Sequence, residues 1–506
     1  MAAMRISMAY RERFARDVVI DVIGYRRYGH NETDEPAYTQ PEQAAQIRKH
    51  PPISEIYAER LVEEGVVTAS EVEEDANQHR DELSSTLKSL RAKIEAGEFE
   101  DPTITGGTGE LDRSKSPAVE TKVSEKRIRT LNDELIRFPD SFTVHRKLRK
   151  PLERRVEILD EGPIEYGHAE ALAFASLLTE GTHIRMTGQD TERGTFSNRH
   201  LVLHDEKTGL KYAPIQNLSG ALAPFEIHNS PLSENATLGF EYGYSAASPE
   251  SLILWEAQFG DFDNSAQVII DQFIAAGESK WGQTTRLTLL LPHGYEGAGP
   301  EHSSARIERF LQLGAEGNIR LCNPTTAAQY FHLLRRQARI RKARPMAVFT
   351  PKGLLRLKEA ASKLSDLTEG SFQYLIDDAE AKQRAAKIKR LVLCSGRVYY
   401  DLEGHDRRAD AKSVAIGRIE MIYPFPRTYV GELVAGYPNL EEIVWCQEEP
   451  ENMGPWPSMR FRLPGAVEKD IPIRYVGRPE RASPSEGYPA AHRTEQERIV
   501  LTALTA

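Results

Sequence analysis

The chain has 506 residues, of which 40% are hydrophobic and 28% charged, with a formal net charge of −10. That length supports roughly two to four domains with substantial cores. The acidic balance argues against a generic nucleic-acid binder, no apolar run approaches membrane-spanning length, and no secretory signal is visible. Three cysteines, Cys322, Cys394 and Cys446, fit no metal spacing. Two of them end the apolar runs LVLC and IVWC, so buried thiols in a reducing, cytoplasmic compartment are expected.

In residues 1–100, Met4, Met8 and Phe14 share one side of a predicted helix. Val18–Tyr25 follows as a nearly continuous apolar run interrupted by Asp21, the pattern of a buried parallel strand. A breaker-rich loop, Tyr25–Pro41 (YRRYGHNETDEPAYTQP), leads to a helical stripe of Ile53, Ile56, Tyr57 and Leu61. Thr68 and Glu71 then open a second helix as a capping box. Its stripe runs Val72, Ala76, His79, Leu83, Leu87, Leu90 and Ile94 before Gly97.

Residues 101–157 are poor in periodic hydrophobics and are predicted to connect domains with some local helix. The basic runs His145–Arg155 and Arg335–Arg344 are predicted to be solvated helix faces or linkers. From 158 to 354 the pattern alternates. A helix at His168–Thr179 is joined by strands at His183–Thr187, Leu252–Trp255, Arg286–Leu291, Ile319–Cys322 and Met346–Phe349, with a helix at Thr325–Arg336. This predicts a mostly parallel sheet covered on both faces. A charged helical linker is expected over 355–389. A final α/β unit over 390–506 contains LVLCSG, VAIGRIE, EIVWCQEE and IRYVGR.

Three segments carry candidate chemistry. In His228–Phe273, Glu234 sits just ahead of Gly239, Gly243, Ala246 and Ala247, small residues that let a helix pack closely against a neighbour. A buried carboxylate there needs a partner for its proton; the plain alternative is a helix N-terminal acid stabilised by the dipole. His30 lies in the Tyr25–Pro41 loop, where α/β folds place ligands if a parallel strand precedes it. In Pro292–Leu313, Gly294, Gly297 and Gly299 allow a tight path before His302 and Ser303, and His293 is the second histidine.

These segments resemble the thiamine-diphosphate-dependent, decarboxylating first component of the 2-oxoglutarate dehydrogenase complex. The resemblance implies an α/β, transketolase-like thiamine-diphosphate-binding fold with parallel sheets flanked by helices. Glu234 is implied to share a proton with the cofactor's aminopyrimidine ring, and Phe262, a better match than Phe259, to stack on it. His302 is implied to hydrogen-bond or protonate the substrate-derived intermediate. His30 is implied to contact the diphosphate side, near Arg26 and Arg27. Mg²⁺ is implied too, held mainly by the phosphates. So are a homodimer, the substrate 2-oxoglutarate and a lipoyl-bearing succinyltransferase partner. Gly188–His200 is also family-like, with Gln189, Asp190 and Glu192 at the cleft or an interface and Arg193, Arg199 and His200 reaching a partner subunit. Arg397 is a candidate for a regulatory nucleotide or acyl-CoA site.

The family's Gly-Asp-Gly/Ala turn and downstream Asn, which hold Mg²⁺ and diphosphate, have no match here. The expectation is therefore a C-terminal portion, with the N-terminal half of the diphosphate-binding domain missing through truncation or a natural split. Alternatives are a 2-oxoadipate-acting relative, a multifunctional form with an upstream acyltransferase domain, and a non-catalytic fragment that dimerises or binds the complex's other components.

Overall fold

A computed structural model describes residues 2–98, 119–467 and 470–505. They fall into two units, one containing residues 2–98 and the other the described residues from 119 onward. The first unit is helical. Helices span Ala2–Phe14, Pro41–Lys49, Ile53–Glu63 and Ala69–Glu95. The capping box forms as expected: Thr68 Oγ1 accepts the Glu71 N–H at 3.2 Å, and Glu71 Oε2 accepts the Thr68 N–H at 2.7 Å.

Two expectations fail in this unit. Val18–Tyr25 is not a strand, and its apolar side chains, Val19, Val22 and Ile23 most of all, are exposed. A strand needs neighbours for its N–H and C=O groups, and among residues 2–98 there is none. For the same want of a packing partner, Leu83, Leu87, Leu90 and Ile94 line an uncovered face of the long helix.

The second unit holds fourteen strands. β1 is Ile184–Gly188, β2 Leu203–His204, β3 Lys211–Tyr212, β4 Phe225–Asn229, β5 Leu252–Glu256, β6 Thr288–Pro292 and β7 Arg320–Cys322. β8 is Met346–Thr350, β9 Leu375–Ile376, β10 Arg390–Cys394, β11 Val414–Ile419, β12 Met421–Tyr423, β13 Glu442–Pro450 and β14 Ile473–Arg478. Seven of them form a sheet in the order β12-β7-β8-β6-β5-β1-β4, parallel except for β12 at its edge. Five more form a sheet in the order β14-β13-β10-β11-β9, parallel except for β9.

The predicted strands of 158–354 and 390–506 appear within a few residues of their expected ends. Fully buried runs such as LILWE and TLLLP are the signature of strands covered on both faces. On one face the helices Tyr166–Leu178 and Ala327–Arg339 pack together, and every residue of the first is buried. All three cysteines are free and buried, as expected. Among the described residues no helix is long and apolar enough to cross a membrane.

The two sheets are stitched by Glu420, which lies between β11 in one sheet and β12 in the other. Its fully buried carboxylate accepts the Thr325 N–H at 2.8 Å and the Thr325 hydroxyl. A correction belongs to the second basic run. Arg335 donates to the Thr121 carbonyl, Ser176 Oγ and Glu180, and Arg336 donates to the Tyr374 hydroxyl. Both are buried because their helix lies between layers and the guanidinium donors are taken up by neighbouring elements.

Near the carboxyl end of β13, burial pushes the Glu448 carboxyl up to about 8, and nearby Asp401 adds to the effect. Because this folded value lies above the unfolded one, Glu448 stabilises the fold fully below the unfolded value, and that contribution is lost as pH rises through about 8. Melting temperature should therefore fall between about pH 6 and about pH 9. Glu448→Gln, which can still accept from Gln496, should flatten the fall; an unchanged pH profile in that variant would contradict the assignment.

Candidate functional site

The candidate site forms at the carboxyl edge of the seven-stranded sheet, where parallel strands deliver their connecting loops. Gln189 follows β1, Glu234 follows β4, Phe259–Ser265 follows β5, His302 lies in the loop after β6, and Lys352 follows β8.

Glu234 is the first residue of the helix Glu234–Ala247, whose N-cap Ser233 accepts the Ala236 N–H at 3.4 Å. Arg185 on β1 locks that helix to the sheet by pairing with Glu241 of the helix at 2.9 Å and Glu226 of β4 at 2.6 Å. The Glu234 carboxylate accepts from two side chains on different loops. Gln189 Nε2 donates to Oε1 at 3.0 Å, and Ser265 Oγ donates to Oε2 at 3.1 Å. The helix N-terminus favours the same negative charge.

The expectation of a buried carboxylate is corrected: Glu234 is half-buried, and Gly243 and Ala247 are exposed. Among the described residues nothing lies within 4 Å of where a Gly243 Cβ would stand, whereas Gly239 sits against Ile269.

Next to this carboxylate is a cluster of rings. Phe259 meets His302 edge-to-face at 4.4 Å and Phe262 at 5.7 Å, and Phe262 lies 6.0 Å from His302. Ser265 Oγ is also 3.1 Å from the Phe262 carbonyl, so one turn carries both the aromatic rings and a hydrogen-bond partner of Glu234. Three of the expected site residues, Glu234, Phe262 and His302, are thus brought to one place. His30 lies in the first unit, exposed, with its N–H on Asp34 Oδ2 at 2.7 Å, beside a concave surface that Arg26 and Arg27 help to line.

His293 takes a structural position. Its Nδ1 accepts the Ala305 N–H at 3.1 Å and its Nε2 donates to Glu449 at 2.8 Å, so both ring nitrogens are committed. Arg199 is corrected as well. It is 1% exposed and turned inward, with Glu170 at 2.6 Å, Glu256 at 2.5 Å and the Thr191 carbonyl at 3.0 Å. Tyr330 donates a further hydrogen bond to Glu170 at 2.7 Å. This cluster anchors the loop that starts at Gln189. Arg397 pairs with Glu296 at 3.0 Å.

Ser265, Asp261 and Lys352 were not legible as site residues. Their roles depend on loops meeting across the sheet edge, and the one hint was the Gly260-Asp261 breaker pair shortly after a buried strand.

The site's groups suit an aminopyrimidine ring, offering a carboxyl group to share a proton with a ring nitrogen and aromatic faces for stacking. Among the described residues no group of three or more His, Cys, Asp or Glu side chains is disposed to hold a metal ion.

Three family models match: Dehydrogenase E1 component over residues 1–96, Transketolase, pyrimidine binding domain over 162–358, and 2-oxoglutarate dehydrogenase C-terminal over 361–504. The chain is 47% identical over 510 residues to the 2-oxoglutarate dehydrogenase E1 component of Geobacillus sp. (strain WCH70), covering 100% of the chain and 53% of the relative. It is 48% identical over 514 residues to that of Bacillus subtilis (strain 168), covering 100% of the chain and 54% of the relative. The chain spans about half the length of the curated relatives it matches.

Arg199→Met would leave Glu170 and Glu256 buried without their cation. Urea unfolding should show a loss of about 3–5 kcal/mol. A loss below about 1 kcal/mol would mean the cluster does not hold the loop.

Proposed function

We propose that this chain, which is 2-oxoglutarate dehydrogenase E1-like along its whole length, supplies the pyrimidine side of a thiamine diphosphate site. The enzyme it serves oxidatively decarboxylates 2-oxoglutarate and passes the succinyl group to a lipoyl group on a partner acyltransferase. The observation that carries this reading is the Glu234 carboxylate, gripped by Gln189 and Ser265 at a helix N-terminus beside Phe259, Phe262 and His302.

When bound, thiamine diphosphate supplies the electron sink that loss of carbon dioxide from a 2-oxo acid requires. Glu234 holds a proton at a pyrimidine ring nitrogen, with Gln189 and Ser265 fixing the direction of its carboxylate. Phe262 presents a ring face for stacking. His302 donates a hydrogen bond where negative charge develops on substrate oxygen, or relays a proton there. His30, with Arg26 and Arg27 near it in sequence, anchors the diphosphate end. Mg²⁺ would be held mainly by the phosphates of the bound cofactor, whose hard oxygens suit that ion.

The domain division of the reading is a diphosphate-domain remnant with a helical extension over 1–100, linkers over 101–157 and 355–389, a pyrimidine domain over 158–354 and a C-terminal domain over 390–506. A homodimer is supported by apolar side chains left exposed around the Glu234 helix and the segment after β5, among them Leu232, Phe240, Val268 and Trp281. The free, buried thiols suit a cytoplasmic setting.

Two outcomes test the proposal. The purified chain with thiamine diphosphate and Mg²⁺ should not turn over 2-oxoglutarate, whereas joined to the complementary diphosphate-binding polypeptide it should. In that complete enzyme Glu234→Ala should lower turnover by at least about 100-fold. Turnover by the chain alone, or near-normal turnover in the variant, would contradict it.

A further inference from the structure

The turn that joins the Glu234 and His302 sites is Phe259–Ser265, and its fit against the loop after β6 is close. A Cβ on Gly260 would stand 2.5 Å from Ala305 Cβ and 2.7 Å from the Pro292 carbonyl oxygen, so glycine is required for this approach. Asp261 is the next residue. Its Oδ1 accepts the N–H groups of Ser303 and Ser304, each at 3.1 Å.

Other bonds fix the same stretch. Ser303 Oγ donates to the Gly299 carbonyl at 2.7 Å, and the Gly294 N–H donates to the Ser303 carbonyl at 3.0 Å. The Ala305 N–H donates to His293 Nδ1 at 3.1 Å, and Lys352 Nζ donates to the His302 carbonyl. Burial pulls the Lys352 ammonium below its ordinary range, and the Glu296 and Asp261 carboxylates around it work against that fall. The His302 carbonyl and the next three N–H groups along the chain are therefore all committed.

We infer that Asp261 is a positioning residue: by bonding the two peptide N–H groups after His302, it sets the imidazole in register with the Glu234 carboxylate, which Ser265 of the same turn holds. Carboxylate and imidazole are thereby referred to one rigid piece of backbone. Asp261 acts through His302 and not on substrate. This inference rests on the assignment of His302 in the proposed function.

Two measurements test it. In the 506-residue chain, Asp261→Ala should speed amide hydrogen exchange at Ser303 and Ser304 by at least about tenfold, and Asp261→Asn, which keeps an acceptor oxygen, should stay within about threefold of the unmodified chain. In the complete enzyme, Asp261→Ala should lower kcat by roughly tenfold or more with little change in KM, and the Asp261→Ala, His302→Ala double variant should be no slower than His302→Ala alone. Unchanged exchange, or losses that multiply in the double variant, would overturn the positioning role while leaving the function standing. Undiminished turnover in His302→Ala would overturn the assignment of His302, and the role of Asp261 with it.

Discussion

Parallel strands finish on the same edge of a sheet, and that constraint organises this molecule. Gln189, Phe259, His293, Asn323 and Lys352 each follow within three residues of the end of β1, β5, β6, β7 or β8. Residues more than a hundred positions apart are thereby gathered at one edge. At the end of β1 the crowding is visible in the backbone: a Cβ on Gly188 would lie 2.3 Å from the Glu256 carbonyl oxygen. The strand ends in glycine so that β5 can run alongside, and the chain then turns at once into Gln189.

The loop that leaves β1 is held by buried charge. Arg199 satisfies Glu170 on a helix and Glu256 at the end of β5 while fixing the Thr191 carbonyl of its own loop. Such an arrangement is a weak contributor to net stability compared with an apolar core, because three ions must be desolvated. Its value is directional. A guanidinium fork accepts only a narrow range of carboxylate geometries, so the loop has one conformation and Gln189 one place to be. Glu420 does comparable work at the seam between the sheets, binding the backbone and hydroxyl of Thr325.

Much of the second unit was legible in the sequence. LILWE, TLLLP and RLVLC are short apolar runs bounded by breakers, and they became central strands. Glu234, Phe262 and His302 were legible from family motifs and do come together. What the sequence concealed is of two kinds. Asp261, Ser265 and Lys352 act on loops distant in sequence, and no local periodicity encodes such a meeting. The apolar run Val18–Tyr25 and the stripe Leu83, Leu87, Leu90 and Ile94 misled for the opposite reason. Their patterns specify a buried surface, but burial needs a partner, and residues 2–98 supply none. The basic run at Arg335 misled because arginine donors can be satisfied by carbonyls and carboxylates deep between layers as well as by water.

The central claim is that Glu234 is a ready-made proton-sharing partner for a pyrimidine ring nitrogen, held in place before any cofactor arrives. A crystal structure of the complete enzyme with thiamine diphosphate tests it most directly. The account predicts the Glu234 carboxylate within hydrogen-bond distance of a pyrimidine ring nitrogen, the Phe262 ring against the pyrimidine, and Gln189 and Ser265 still bonded to the carboxylate as they are here. A pyrimidine bound elsewhere, with Glu234 facing solvent or paired only to protein groups, would contradict it.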